Sequence, residues 1–274
     1  MNQETKDINI YNLAKSFLFE KFSKKNLNSS ILDKYLKKTE FHSLSQYYQR
    51  LLESGANRNR SQGVISTPIG GIPKLSDVLF SFDVNKVLEK YMNNGVPQTE
   101  ALLKEIFNRF KLRRNEKENG LWYKYCKTII SGAQFLSKFK DHRDFNSFVN
   151  FFHEDERARN ALLLLLKQEI FGFGLALACD FLKESGYHWY AKPDVFLIKI
   201  FQELELSPTN NDYDVLNAIV RVAEKNNESP YVVDKVFWLI GSGKLYYDID
   251  PKTNKNYFIG RNSDNFIKYI KSTL

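Results

Sequence analysis

Residues 169–200 read EIFGFGLALACDFLKESGYHWYAKPDVFLIKI, and the two glycines near the start of this stretch govern the rest of the chain. Before them, HEDERARNALLLLLKQ carries apolar residues at helical spacing, and a second helical run follows from Leu175. Gly172 and Gly174 flank Phe173, so the chain can turn tightly between the two helices, and no side chain covers the first amides of the second. A helix amino terminus presented this way can hold a phosphate through its N–H groups and dipole. A plain turn between helices is the other reading of the same glycines. Further on, Lys192-Pro193-Asp194 precedes the apolar helix that begins at Val195. An aspartate in that place is either an N-cap or a carboxylate set at the mouth of a site.

Outward from this stretch, helical periodicity dominates. Leu102, Leu103, Ile106, Phe107 and Phe110 share one face of a helix over 99–114, with Thr99 as its cap. The basic residues Lys104, Arg109, Lys111, Arg113 and Arg114 lie on its other faces or beyond, as a solvated face or a phosphate-binding strip. A helix over 121–140 aligns Trp122, Cys126, Ile129, Ala133 and Leu136, and further helices are expected over 195–204, 213–225 and 231–240. Residues 54–76, SGANRNRSQGVISTPIGGIPKLS, have the composition of a long loop in which Arg58 and Arg60 could reach nucleic acid. Near the end, KLYYDIDPKTNKNYFIG alternates about a Pro-Lys-Thr-Asn turn and reads as a small β-hairpin.

The bulk properties narrow the function classes. The formal charge of +8 favours polyanionic partners, because cations that neutralise phosphates release condensed counterions. Cys126 and Cys179 stand apart with no CxxC or Cys/His cluster, which argues against a disulfide framework, structural zinc or an iron–sulfur centre. No metal or other cofactor is expected. The longest apolar run, Leu162 to Leu166, is far too short for a membrane span, and the first residues lack the apolar core of a signal peptide. A soluble, intracellular protein is therefore expected. P-loop, HExxH, nucleophile-elbow and Rossmann patterns are missing, and the histidines are scattered at 42, 142, 153 and 188.

The stretch resembles the helix-hairpin-helix DNA glycosylases of the endonuclease III and alkyladenine glycosylase types. Their hairpin Gly-hydrophobic-Gly is followed by a small residue in the second helix, and Gly172, Phe173, Gly174 and Ala178 fit that pattern. Their essential aspartate lies 22 positions beyond the first hairpin glycine, which here is Asp194. The run from Pro193 to Lys199 is similar to the Pro-Asp-Asp-Tyr-Leu-Ile-Lys of the alkyladenine enzymes, and Val233 to Ile240 with Gly243 and Tyr246 resembles a V-D-x-x-x-W-L-I helix of endonuclease III. The cluster cysteines that follow that helix in endonuclease III are lacking, and the β-hairpin stands in their place.

The resemblance implies an all-α, two-lobed helical glycosylase fold with a helix-hairpin-helix motif and a small C-terminal β-hairpin. Its segments would be 1–75, 76–193 and 194–274, the last packing with the first. The implied protein is a cytoplasmic monomer acting on double-stranded DNA. It also implies that Gly172, Phe173, Gly174, Leu175 and Ala176 contact DNA, and that Asp194 stabilises the positive charge that develops on the sugar as the base leaves. Base flipping makes Trp122, Tyr187, Trp189 and Tyr190 candidates for the pocket, though core packing suits each of them, and Trp238 reads as core. The lysine that gives some members lyase activity is replaced by Ala176, so the implied enzyme is monofunctional unless Lys183 or Lys192 reaches the sugar. The usual histidine two positions after the aspartate is Phe196, and Asp180 is a rival acid suited to ion pairing inside the fold. A non-catalytic DNA-binding module and a helical scaffold for protein partners remain alternatives.

Overall fold

A computed structural model describes residues 2–37, 39–58, 62–112, 120–153, 155–250 and 253–274. In chain order the helices are α1 (Gln3–Ser23), α2 (Ile31–Leu36), α3 (Leu44–Ala56), the short α4 (Gln62–Ile65), α5 (Val84–Tyr91), α6 (Thr99–Phe110) and α7 (Leu121–Leu136). They continue with α8 (His142–His153), α9 (Glu156–Glu169), α10 (Leu175–Glu184), α11 (Val195–Glu203), α12 (Asp212–Lys225), α13 (Pro230–Ser242) and α14 (Ser263–Thr273). Two antiparallel pairs complete the chain: β1 (Met92–Asn93) with β2 (Val96–Pro97), and β3 (Lys244–Asp250) with β4 (Lys255–Phe258). The fold is all-helical with a small C-terminal β-hairpin.

The chain divides into two units. One joins Met1–Thr39 to Gly186–Leu274, and the other is Glu40–Ser185. The boundaries between them fall at 39/40 and 185/186. In the middle unit α7 is the central helix, because its apolar stripe of Cys126, Ile129, Ala133 and Leu136 is sealed from water. Gly132 lets α3 come close, since a Cβ there would lie 2.7 Å from Leu51 Cδ2. The contact is tied by Tyr48 Oη–H donating to Ile129 O at 2.8 Å and Tyr125 Oη–H donating to Leu52 O at 2.9 Å.

In the terminal unit α13 is central, packed by α1, α11, α12 and α14. The Phe237 ring lies 5.0 Å from Phe201, 6.0 Å from Phe266 and 6.4 Å from Tyr11, so one aromatic cluster joins four helices. The fully buried Asp7 of α1 accepts from Arg221 Nε at 2.7 Å and Nη2 at 3.2 Å, and Arg221 Nη2 also donates to Leu206 O at 2.6 Å. Ser229 caps α13 with Pro230 in its first turn, and Gly243 at φ 67° ends it.

Several local expectations change. Thr99 is the first helical residue of α6, and Gln98 occupies the cap without a side-chain bond. Helix α7 stops at Leu136 instead of Lys140, because Asp141 accepts from the amides of Arg143 and Asp144 and opens α8. Among the described residues, 54–58 and 62–76 do not form a long loop. Helix α3 runs to Ala56, and Pro68 and Pro73 start 3₁₀ turns on either side of Gly70 and Gly71, which take positive φ. Arg60, Arg113 and Arg114 lie outside the described residues. Among the described residues no helix is long and apolar enough to cross a membrane.

Candidate nucleic-acid interface and carboxylate

The hairpin belongs to the middle unit. After α9 the chain turns at Ile170–Phe173, where Phe173 N–H donates to Ile170 O at 3.1 Å and Gly172 takes φ 82°, a conformation costly for any side chain. Gly174 then occupies the N-cap of α10 in extended conformation, with no side chain to take up the first amides of Leu175 and Ala176. Phe173 and Leu175 are buried and anchor the turn, whereas Phe171 is 38% exposed.

The turn is bolted to α7 on both sides of one residue. Phe171 N–H donates to Ser131 Oγ at 2.9 Å, and Thr128 Oγ1–H donates to Phe171 O at 2.8 Å. Lys124, Lys127, Thr128 and Ser131 recur at helical spacing on the face of α7 turned to the hairpin, away from the buried stripe. That spacing is visible in the sequence, although the apolar stripe alone draws attention there. Lys127 Nζ lies 5.3 Å from the Phe171 ring centroid, and the Arg58 guanidinium carbon lies 5.5 Å from the same ring.

Asp194 belongs to the terminal unit. It caps α11 through Oδ1, which accepts from Phe196 N–H at 2.9 Å and Leu197 N–H at 3.2 Å; Oδ2 is outside both bonds. Burial pushes its carboxyl above the usual range, and the negative charge of Asp234 adds to the rise. Lys192 and the two cap amides oppose it. Asp234 is fully buried on α13 and accepts from Lys192 N–H, while Asp194 N–H donates to Lys192 O at 2.8 Å. Helix α13 thus fixes the turn that presents Asp194. Phe196 packs so closely on the same helix that a Cβ at Gly241 would lie 2.5 Å from Phe196 Cβ. Sequence reading connected α13 to a motif but missed Asp234, whose role depends on two segments folded side by side.

The other singled-out residues are placed as follows. Asp180 is buried and accepts from Arg50 Nη2 at 3.0 Å and Ser54 Oγ at 2.8 Å, a packed ion pair inside the middle unit. Lys183 is buried and pairs with Glu184 at 3.2 Å, and Lys192 is half-buried. Trp122 is buried edge-on to Phe107 and Tyr125. Tyr187 and Tyr190 are buried, and Trp189 is half-buried with its ring 5.5 Å from Tyr187 and 6.3 Å from Tyr190. Trp238 is half-buried against Tyr246 of the β-hairpin rather than enclosed in the core, because it sits on the face of α13 turned to β3. Cys126 and Cys179 are buried thiols, and among the described residues no group of three or more His, Cys, Asp or Glu side chains could hold a metal ion. Compared with family models, with curated proteins and with solved structures, the chain matches none.

Proposed function

We propose that this protein is a monofunctional DNA glycosylase, which takes a damaged or modified base out of the duplex and hydrolyses its N-glycosidic bond. The observation that carries the reading is Asp194, a carboxylate held in place by its own helix with one oxygen outside the cap and its proton affinity raised by burial. Such a group can orient and deprotonate a water and, once ionised, stabilise an oxocarbenium-like sugar. The unobstructed amino terminus of α10 supports the second half of the reading, a grip on a backbone phosphate through Leu175 and Ala176 N–H. Ala176 and the enclosed Lys183 favour hydrolysis without strand cleavage.

The cap bonds at Oδ1 favour a second reading, a DNA-binding protein in which Asp194 only starts a helix. One experiment separates the two. Duplexes carrying single alkylated, oxidised or deaminated bases are incubated with the protein, and abasic products are cleaved with alkali. The glycosylase gives alkali-labile product from at least one lesion, and Asp194→Asn abolishes it while duplex binding persists. Binding without product across the panel supports the second reading and removes the first.

A further inference from the structure

Beside the hairpin, within the middle unit, lies a cavity of about 50 Å³ with Arg58, Lys124, Tyr125 and Thr128 as its polar walls and Gly55 behind them. About 15 Å³ suffices for a single water, so the space admits a larger group. No acid lines it. Elsewhere in this unit cations meet carboxylates: Arg50 pairs with Asp180 and Glu53, Arg109 with Asp77, and Lys138 with Glu169. Among the described residues Arg58, Lys124 and Lys127 have no carboxylate within ion-pair distance.

Arg58 is the sharper case. Among the described residues its Nη1 is buried with no hydrogen-bond acceptor, and it lies where a Cβ on Gly172 would approach it to 2.6 Å, tight against the hairpin turn. A buried guanidinium N–H left unsatisfied is costly, so an acceptor from outside the chain is favoured there. A second unopposed cation in the same walls, the Lys124 ammonium, raises the local positive potential and narrows that acceptor to an anion. The planar fork of arginine beside the point charge of lysine suits a group with several oxygens around one centre.

We propose that Arg58 and Lys124 form a phosphate-binding site next to the hairpin, and that a phosphodiester of a nucleic-acid backbone occupies it. Lys127, on the adjoining turn of α7, adds to its field. The assignment goes beyond the glycosylase reading and is independent of Asp194, since it concerns binding in the middle unit alone.

The test follows fluorescence anisotropy of an undamaged duplex across a salt series. It uses the full chain, Arg58→Gln/Lys124→Gln, Arg58→Lys, and the charge-matched control Lys25→Gln from an exposed position of the other unit. Loss of one phosphate contact lowers the slope of log K against log salt by about 0.9. That drop is expected for the double variant, while Arg58→Lys and Lys25→Gln keep the parental slope. A parallel arm measures the melting-temperature rise given by inorganic phosphate, which the double variant should lose. A response to phosphate alone leaves the chemistry standing and assigns it to a free anion instead of a backbone. Equal slopes in the double variant and the control, together with an unchanged phosphate response, overturn the site. Because base removal by Asp194 is scored separately, failure of either reading leaves the other measurable.

Discussion

Asparagine at position 194 keeps an oxygen for the amides of Phe196 and Leu197 and removes only the charge, so it separates capping from chemistry. Asp194→Asn is expected to melt no lower than the parent near neutral pH yet lose base removal by at least about a hundredfold. Asp194→Ala loses the cap as well and costs about 1 kcal/mol in denaturant titrations. The raised carboxyl gives a pH signature whose sign is fixed. The folded chain holds this proton where the unfolded chain has released it, from about pH 4 upward, so stability from this group falls as pH rises to the folded pKa and is level beyond it. Denaturation midpoints should therefore shift in favour of Asp194→Asn as pH rises from about 4 toward the folded pKa, and activity of the parent should rise through the same window. Asp180 behaves differently, because removing it strands Arg50; Asp180→Ala should cost about 3 kcal/mol and leave any chemistry of the folded fraction unchanged. The two acids could be told apart in the sequence only by their distance from Gly172. The neighbour that raises the proton affinity of Asp194, Asp234, lies 40 positions away and carried no local signal.

The hairpin is held by two hydroxyls, and its strength can be read one hydroxyl at a time. Ser131→Ala releases Phe171 N–H, whose hydrogen exchange should quicken while the amides of α7 stay protected. Thr128→Val keeps the shape of the side chain and removes the bond to Phe171 O, at about 1 kcal/mol of stability. Gly172→Ala adds a Cβ at φ 82°, costs about 1–2 kcal/mol, and pushes Arg58 from its place, so duplex affinity should drop along with melting temperature. Whereas α1 to α5, α8 and α14 were not singled out, helix existence was legible from apolar periodicity for α6, α7 and α9 to α13. Their ends were less so. Asp141 and Gln98 decide two boundaries through cap geometry that apolar periodicity does not encode. Residues 54–76 were expected as a long loop, but among the described residues proline, which presets φ, and glycine, which admits positive φ, shape short helical turns.

The terminal unit is discontinuous, and nothing in local composition reveals it. Its two crossing points meet at Gly186, whose φ is 99° and where a Cβ would lie 2.4 Å from Thr39 O, so only glycine lets the two passes of the chain touch. The apolar face of α1, with Ile10, Ala14, Phe17, Leu18 and Phe22, is buried by the carboxy-terminal helices. At about 1.5–3 kcal/mol for each large side chain, that face is comparable with the whole margin by which a typical domain is stable. A chain lacking residues 1–39 should therefore lose protection throughout α11–α14 while residues 40–185 keep their helical signal, as hydrogen exchange and circular dichroism would register.

The same arrangement orders events during synthesis. Helix α1 leaves the ribosome well before α13, against which it packs and which follows only after the whole middle unit has been made. At about 5–20 residues per second, that interval is on the order of ten seconds. Throughout it α1 presents a naked greasy flank, a natural handhold for a chaperone, while the segment translated second is the first able to fold.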